Sequence, residues 1–256
     1  MLNPIRAPIR LWPVFLVLAL GASACGKADA PEGGQAATAP ASGSASAPAP
    51  ATRDWTQTVV ATEAGGFRMG NPDAPVKLLE FASFTCSHCQ RFHLEGAEAL
   101  KSGLVRSGRV SYEYRPFLLN PIDLAAALIA VCNGPEQFFT WADQLYRDHD
   151  SWLTPFTKLS DADLKLLNAL PQDQQVKRLA ELGGLDAFVR PRGMPRARFD
   201  QCLANPDATR RILETQRVAI EQYQVSSTPT LVLNGKKLDG ISTWSDLRPR
   251  IEALLK

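Results

Sequence analysis

Two cysteines separated by two residues, Cys86-Ser87-His88-Cys89, are the groups best suited to chemistry in this chain. The thiolate is the nucleophile and the thiol is not, so the surroundings of the first cysteine decide its reactivity. The run Val76 to Phe84 before it is largely apolar and predicts a buried strand. The residues after Cys86 predict a helix running through His93, Ala97 and Leu100 towards Leu104. Cys86 is therefore expected to end the strand and open the helix. A helix N-terminus offers unpaired N–H groups and a partial positive charge, and both favour a thiolate there. A nearby cationic histidine, His88, would add to this. In such settings a cysteine pKa of about 8.5 can fall to about 3.5. Spacing within one helical turn brings the sulfurs close enough for a reducible disulfide. When the reduced form is held as a thiolate, that disulfide is a strong oxidant. The competing chemistry is metal binding. Zinc ordinarily takes four ligands, a second Cys-x-x-Cys is missing, and His93 reads as a helix-surface residue, so neither a metal nor another cofactor is expected.

The elements that must position this pair follow in order. Asn71-Pro72-Asp73-Ala74-Pro75 is a turn cluster before the first strand, and Val110 to Phe117 is a second strand of alternating character. Strand, helix, strand suggests a βαβ unit. A long helical stretch comes next. It holds the alanine-rich Ile122 to Cys132, the aromatic-bearing Pro135 to Arg147, a segment capped by Ser160 with Asp163 three residues on, Pro171 to Leu182, and Ala197 to Leu203. The helix Asp207 to Tyr223 leads back to strands. Thr230 to Leu233, the turn Asn234-Gly235 and Lys236 to Leu238 read as a hairpin, and Ser242 or Thr243 caps a closing helix to Leu255. The expected fold class is α/β, with residues 54–117 and 207–256 forming two halves of one domain and 118–206 a helical insertion.

Composition narrows the setting. A formal charge of +2 over 256 residues gives no sign of a nucleic-acid partner. Two arginines without an acid, the apolar run Leu11 to Leu20, and the small residues Gly21 to Ala24 make residues 1–24 an export signal, too short in its apolar part for an ordinary spanning helix. Cys25 then stands where a bacterial lipoprotein carries its lipid; plain cleavage after Ala24 is the alternative. Residues 25–53 are mostly Ala, Pro, Ser and Gly, a composition that cannot fold alone and suits a tether. The expected location is the periplasm, lipid-anchored or else soluble, where disulfides persist.

Two motifs far apart make the reading specific. Gly70-Asn-Pro-Asp-Ala-Pro-Val76 followed by Glu80-Phe-Ala-Ser-Phe-Thr-Cys-Ser-His-Cys89, together with Val225-Ser-Ser-Thr-Pro-Thr230, resembles the DsbA-like branch of the thioredoxin superfamily, over most of residues 70–256. The resemblance implies a thioredoxin-like fold and an exported thiol:disulfide oxidoreductase. Cys86 would be the nucleophile, Cys89 the buried resolving cysteine, and His88 the histidine that makes the oxidants strong. Thr228-Pro229 would be a cis bond facing the disulfide, with the Thr228 backbone pairing to substrate, and Glu80 a buried acid assisting proton transfer. Cys132 and Cys202 would form a structural disulfide. Closing about 70 residues, it would contribute roughly 4 kcal/mol in the chain-entropy model. Two departures leave the redox direction open. Strong oxidants of the branch usually carry Pro where this chain has Ser87, and often Val where it has Thr228. The implied partners are reduced exported proteins and a membrane protein that reoxidises a monomeric enzyme. A reductase, an isomerase or a metal-binding module are the alternatives.

Overall fold

The structure, a computed structural model, describes residues 53–256. The expected signal at 1–24, Cys25 and the tether up to residue 52 lie outside them. Two short strands come first, β1 (Val59–Ala61) and β2 (Phe67–Met69), followed by β3 (Val76–Ala82), α1 (Ser87–Ala99) and β4 (Val110–Pro116). The helices α2 (Pro121–Val131), α3 (Pro135–Arg147), α4 (His149–Leu153), α5 (Asp161–Asn168), α6 (Gln172–Leu182), α7 (Leu185–Val189) and α8 (Arg196–Leu203) intervene. The chain then returns through α9 (Pro206–Tyr223), β5 (Thr230–Leu233), β6 (Lys236–Lys237) and α10 (Trp244–Leu254).

The six strands form one sheet in the order β1-β2-β4-β3-β5-β6. β3 lies parallel to β4 and antiparallel to β5, so it is central. A central strand covered on both faces must be apolar on both, and only Lys77 of β3 is exposed. Alternation then sorts its residues. Leu79 and Phe81 pack with Ala219 of α9 and Val232 of β5. Val76, Leu78 and Ala82 point to the opposite face, into the main core shared with α1 and the helical insertion. Glu80 has the same parity as Leu78 and Ala82, so a carboxyl is aimed into that core.

Local signals explain most boundaries. Asn120 caps α2 through Ile122 N–H and Asp123 N–H, with Pro121 at the first helical position. Ser160 and Asp163 form a reciprocal capping box at α5, and Thr243 caps α10 by accepting from Asp246 N–H. Asn234 and Gly235 both have positive φ, as a tight hairpin turn of this hand requires. α1 crosses α10 at Gly96, where a Cβ would stand 2.6 Å from the Trp244 ring, so only glycine fits.

Two features depart from expectation. β1 and β2 were not foreseen, because strands of three residues at a sheet edge carry too little alternation to read. The central strand also stops at Ala82, and Ser83-Phe84-Thr85 forms a turn between it and the helix. Cys86 caps that helix and does not end the strand.

Candidate active site

Cys86 is the N-cap residue of α1, and its backbone is still extended. Its carbonyl accepts the Gln90 N–H at 2.9 Å, so the thiol sits over the open first turn. The side chain is nearly buried, at 9% exposure, and both Cys86 and Cys89 are free thiols. Cys86 Sγ donates to the Thr228 carbonyl at 3.4 Å, across the cis Thr228–Pro229 peptide. The sequence separates these two residues by 142 positions, and the β3–β5 pairing brings them together.

The two thiols are pushed in opposite directions. The Cys86 thiol is lowered from 9.0 to about 5, chiefly because the Cys89 thiol hydrogen-bonds to it. Burial opposes this, while the Thr228 side chain and the backbone N–H groups of Cys89 and His88 assist. The Thr228 hydroxyl has no other hydrogen-bond partner among the described residues and is free to serve a thiolate. Cys89 is fully buried, and burial pushes its thiol well above the ordinary value, with Cys86 and the Glu80 charge adding to the rise. These opposed shifts favour a Cys86 thiolate beside a Cys89 thiol when the pair is reduced.

His88 is exposed, and its Nδ1 lies 2.8 Å from Arg91 Nη2. An arginine can only donate, so that ring nitrogen is an acceptor. Its backbone N–H is one of the groups that favour the Cys86 thiolate.

Behind Cys89 lies a buried polar cluster. Glu80 is wholly inaccessible. Its Oε2 accepts from Tyr112 Oη at 2.5 Å and lies 3.5 Å from His93 Nε2, and its Oε1 has no partner among the described residues. His93 is itself buried and stacks on Tyr146 at 4.1 Å, so the helix-surface reading of this residue is corrected. The spacing held the clue. His93 is four residues beyond Cys89, and Cys89, Phe92, His93 and Gly96 form the covered face of α1. Tyr114, Tyr146 and the Ser83 carbonyl continue the network, with Tyr114 and Tyr146 hydroxyls 2.7 Å apart and Tyr146 donating to Ser83 O at 3.0 Å. Tyr112 and Tyr146 were not anticipated from sequence. Aromatic residues of a strand and a helix read as ordinary core until their hydroxyls find partners.

The second cysteine pair is elsewhere. Cys132 closes α2 and Cys202 lies in α8, and the two sulfurs are bonded with Cα atoms 5.4 Å apart. Arg198 braces this junction, donating to the Cys132 carbonyl at 2.6 Å.

A family model described as thioredoxin matches residues 62–253, three quarters of the chain. The chain belongs to the thioredoxin family. Its likeness within that family is to DsbA proteins. The crystal structure of a protein-disulfide isomerase from Novosphingobium aromaticivorans superposes with a TM-score of 0.72 at 34% identity, covering 75% of this chain and 98% of the other. Wolbachia pipientis alpha-DsbA1 superposes with a TM-score of 0.55 at 25% identity, covering 73% and 89%. A Rickettsia bellii protein provisionally named a protein-disulfide oxidoreductase is 24% identical over 175 residues, which is 68% of this thioredoxin-family chain. The chain spans only 59% of the length of that relative.

Proposed function

We propose that this protein is a thiol:disulfide oxidoreductase that acts as a dithiol oxidase on exported proteins. The observation that carries the reading is the placement of Cys86 at the open first turn of α1, 3.4 Å from the Thr228 carbonyl, with Cys89 fully buried behind it; this draws the Cys86 thiol down to about 5 and pushes Cys89 up. Holding Cys86 as a thiolate stabilises the reduced form, and a disulfide whose reduced form is stabilised oxidises others.

The cycle begins with the Cys86–Cys89 disulfide. A substrate thiolate attacks Cys86 Sγ, the Cys86–Cys89 bond breaks, and Cys89 leaves and takes up a proton. Glu80, buried beside it, is the group suited to pass that proton. A second substrate thiolate attacks the substrate sulfur of the mixed disulfide and expels Cys86 as its stable thiolate. The substrate has lost two electrons and gained a disulfide, and the enzyme holds a dithiol. A membrane redox partner that accepts two electrons restores the disulfide. Thr228, whose carbonyl lies next to Cys86, pairs with the extended substrate backbone, and Pro229 holds that carbonyl in place. The enzyme works as a monomer in the periplasm, tethered by a lipid on Cys25. This location rests on the sequence of residues 1–53.

A reductive or isomerising role is the second reading. Thr228 favours it, and so does the name of the 34% identical Novosphingobium protein. The reduction potential of Cys86–Cys89 in glutathione buffers separates the two, since 30 mV corresponds to about 1.4 kcal/mol. A value near about −120 mV is expected, and a value near about −270 mV would move the protein to the reductases.

A further inference from the structure

The three residues between β3 and Cys86 are held by a carboxylate that belongs to the helical insertion. Asp123, in the first turn of α2, is 1% exposed. Its Oδ1 accepts from Ser83 Oγ at 2.8 Å and from Thr85 N–H at 2.9 Å. Its Oδ2 accepts from Thr85 Oγ1 at 3.0 Å and from Leu119 N–H at 2.8 Å. A carboxylate has about four acceptor positions, so both oxygens are fully used. Asn120 adds a second tie, donating from Nδ2 to Thr85 Oγ1 at 2.9 Å. The α2 entry is anchored from its other side. Gln216 of α9 accepts from Leu118 N–H at 2.9 Å and donates to Leu118 O at 3.1 Å.

The segment so held is hydrogen-bonded to both cysteines, to the backbone of Cys86 and to the thiol of Cys89. The Ser83 carbonyl accepts the Cys86 N–H at 3.3 Å, and the Ser83 backbone hydrogen-bonds to Cys89. Thr85 is the residue directly before the nucleophile. Burying a carboxylate is costly unless it is matched by donors, and burial raises the Asp123 carboxyl against the pull of the four hydrogen bonds it accepts from Ser83, Thr85 and Leu119. An acid placed for the α2 N-terminus alone would need no such burial, because an exposed one interacts with the helix equally well.

We infer that Asp123 is a positioning residue for the reaction, fixing Ser83 and Thr85 so that Cys86 keeps its place over the open first turn of α1 and beside Thr228. It touches neither substrate nor sulfur. The helical insertion thereby sets the reactivity of a nucleophile carried by the sheet domain. The inference rests on the proposed function only in taking Cys86 as the reacting thiol.

The test is the pH midpoint of Cys86 thiolate formation, read by ultraviolet thiolate absorbance of the reduced full-length protein. Wild type is expected near 5. Asp123→Ala orphans the Leu119 N–H, leaves the Thr85 N–H with Ser83 Oγ alone, and should raise the midpoint by about one unit, a roughly fivefold lower thiolate fraction at pH 5. Asp123→Asn keeps one oxygen and should shift it less in the same direction. Ser160→Ala, which removes the remote α5 cap, should lower the urea unfolding midpoint and leave the thiolate midpoint alone. Should Asp123→Ala fail to fold, Asp123→Asn and Thr85→Val carry the same measurement. If these variants fold and titrate like wild type, Asp123 is merely structural and the inference falls. A wild-type potential as reducing as that of thioredoxin would sink the oxidase reading and leave this one standing.

Discussion

Cys86 and Cys89 stand three residues apart on one helical turn, and Cys132 and Cys202 are 70 residues apart on two helices. The first pair spans a steep change of environment. One sulfur faces N–H groups and the Thr228 carbonyl, and the other faces a buried carboxyl and an aromatic wall. The second pair has no such contrast. It ties the end of α2 to α8 beside Arg198, among apolar side chains of the main core. The difference shows what makes a cysteine pair exchange or persist. A pair exchanges when its two sulfurs are stabilised in different charge states, and it persists when both are merely held.

The largest effect should come from removing the nucleophile. Cys86→Ser is expected to reduce disulfide transfer to a reduced peptide to the uncatalysed rate, measured by thiol consumption. Cys89→Ser should instead accumulate a mixed disulfide, visible on a non-reducing gel. Activity surviving in Cys86→Ser would break the comparison by moving the chemistry to the other pair. Next in size is the paired replacement Cys132→Ala with Cys202→Ala. It should cost about 4 kcal/mol of stability by denaturant titration, the value for a loop of this order. The Cys86 midpoint should remain near 5. Lost transfer without lost stability would show that the second pair is also reactive.

A smaller, graded effect sharpens the contrast within the first pair. The folded-state value of Cys86 lies below 9.0, so its contribution is fully present above about 9 and is lost as pH falls through about 5. Cys89 is shifted the opposite way, so its contribution is lost as pH rises above about 9. The reduced protein should therefore gain stability from pH 5 to 9 and lose it beyond. Urea midpoints across this range test the sign, and Cys86→Ala should remove the rise.

The reactive pair was legible because its sequence neighbours are its structural neighbours. An apolar run, Cys-x-x-Cys and a helical pattern are local signals, and Pro229 was found by its own motif. The cap at Ser160 and the turn at Asn234-Gly235 were legible for the same reason. What the sequence concealed depends on contacts between distant elements. Asp123 follows Asn120 and Pro121 and reads as an ordinary acid of a helix start, although its partners Ser83 and Thr85 are 40 and 38 residues away. His93 is polar by type and buried by position, and only its phase relative to Cys89 marks it. The end of β3 was misplaced because Ser83-Phe84-Thr85 continues the apolar alternation while tertiary hydrogen bonds bend it into a turn.

The sheet order has a consequence in time. β3 is central, yet its partner β5 is made much later, with Lys77 and Asn234 separated by 157 residues. At about 5–20 residues per second, synthesis leaves one edge of β3 without its strand for on the order of ten to thirty seconds. During that interval the cysteines emerge singly, in the order 86, 89, 132, 202. Cys86 and Cys89 thus appear close together, whereas Cys132 waits a further 70 residues for the cysteine to which it is finally bonded.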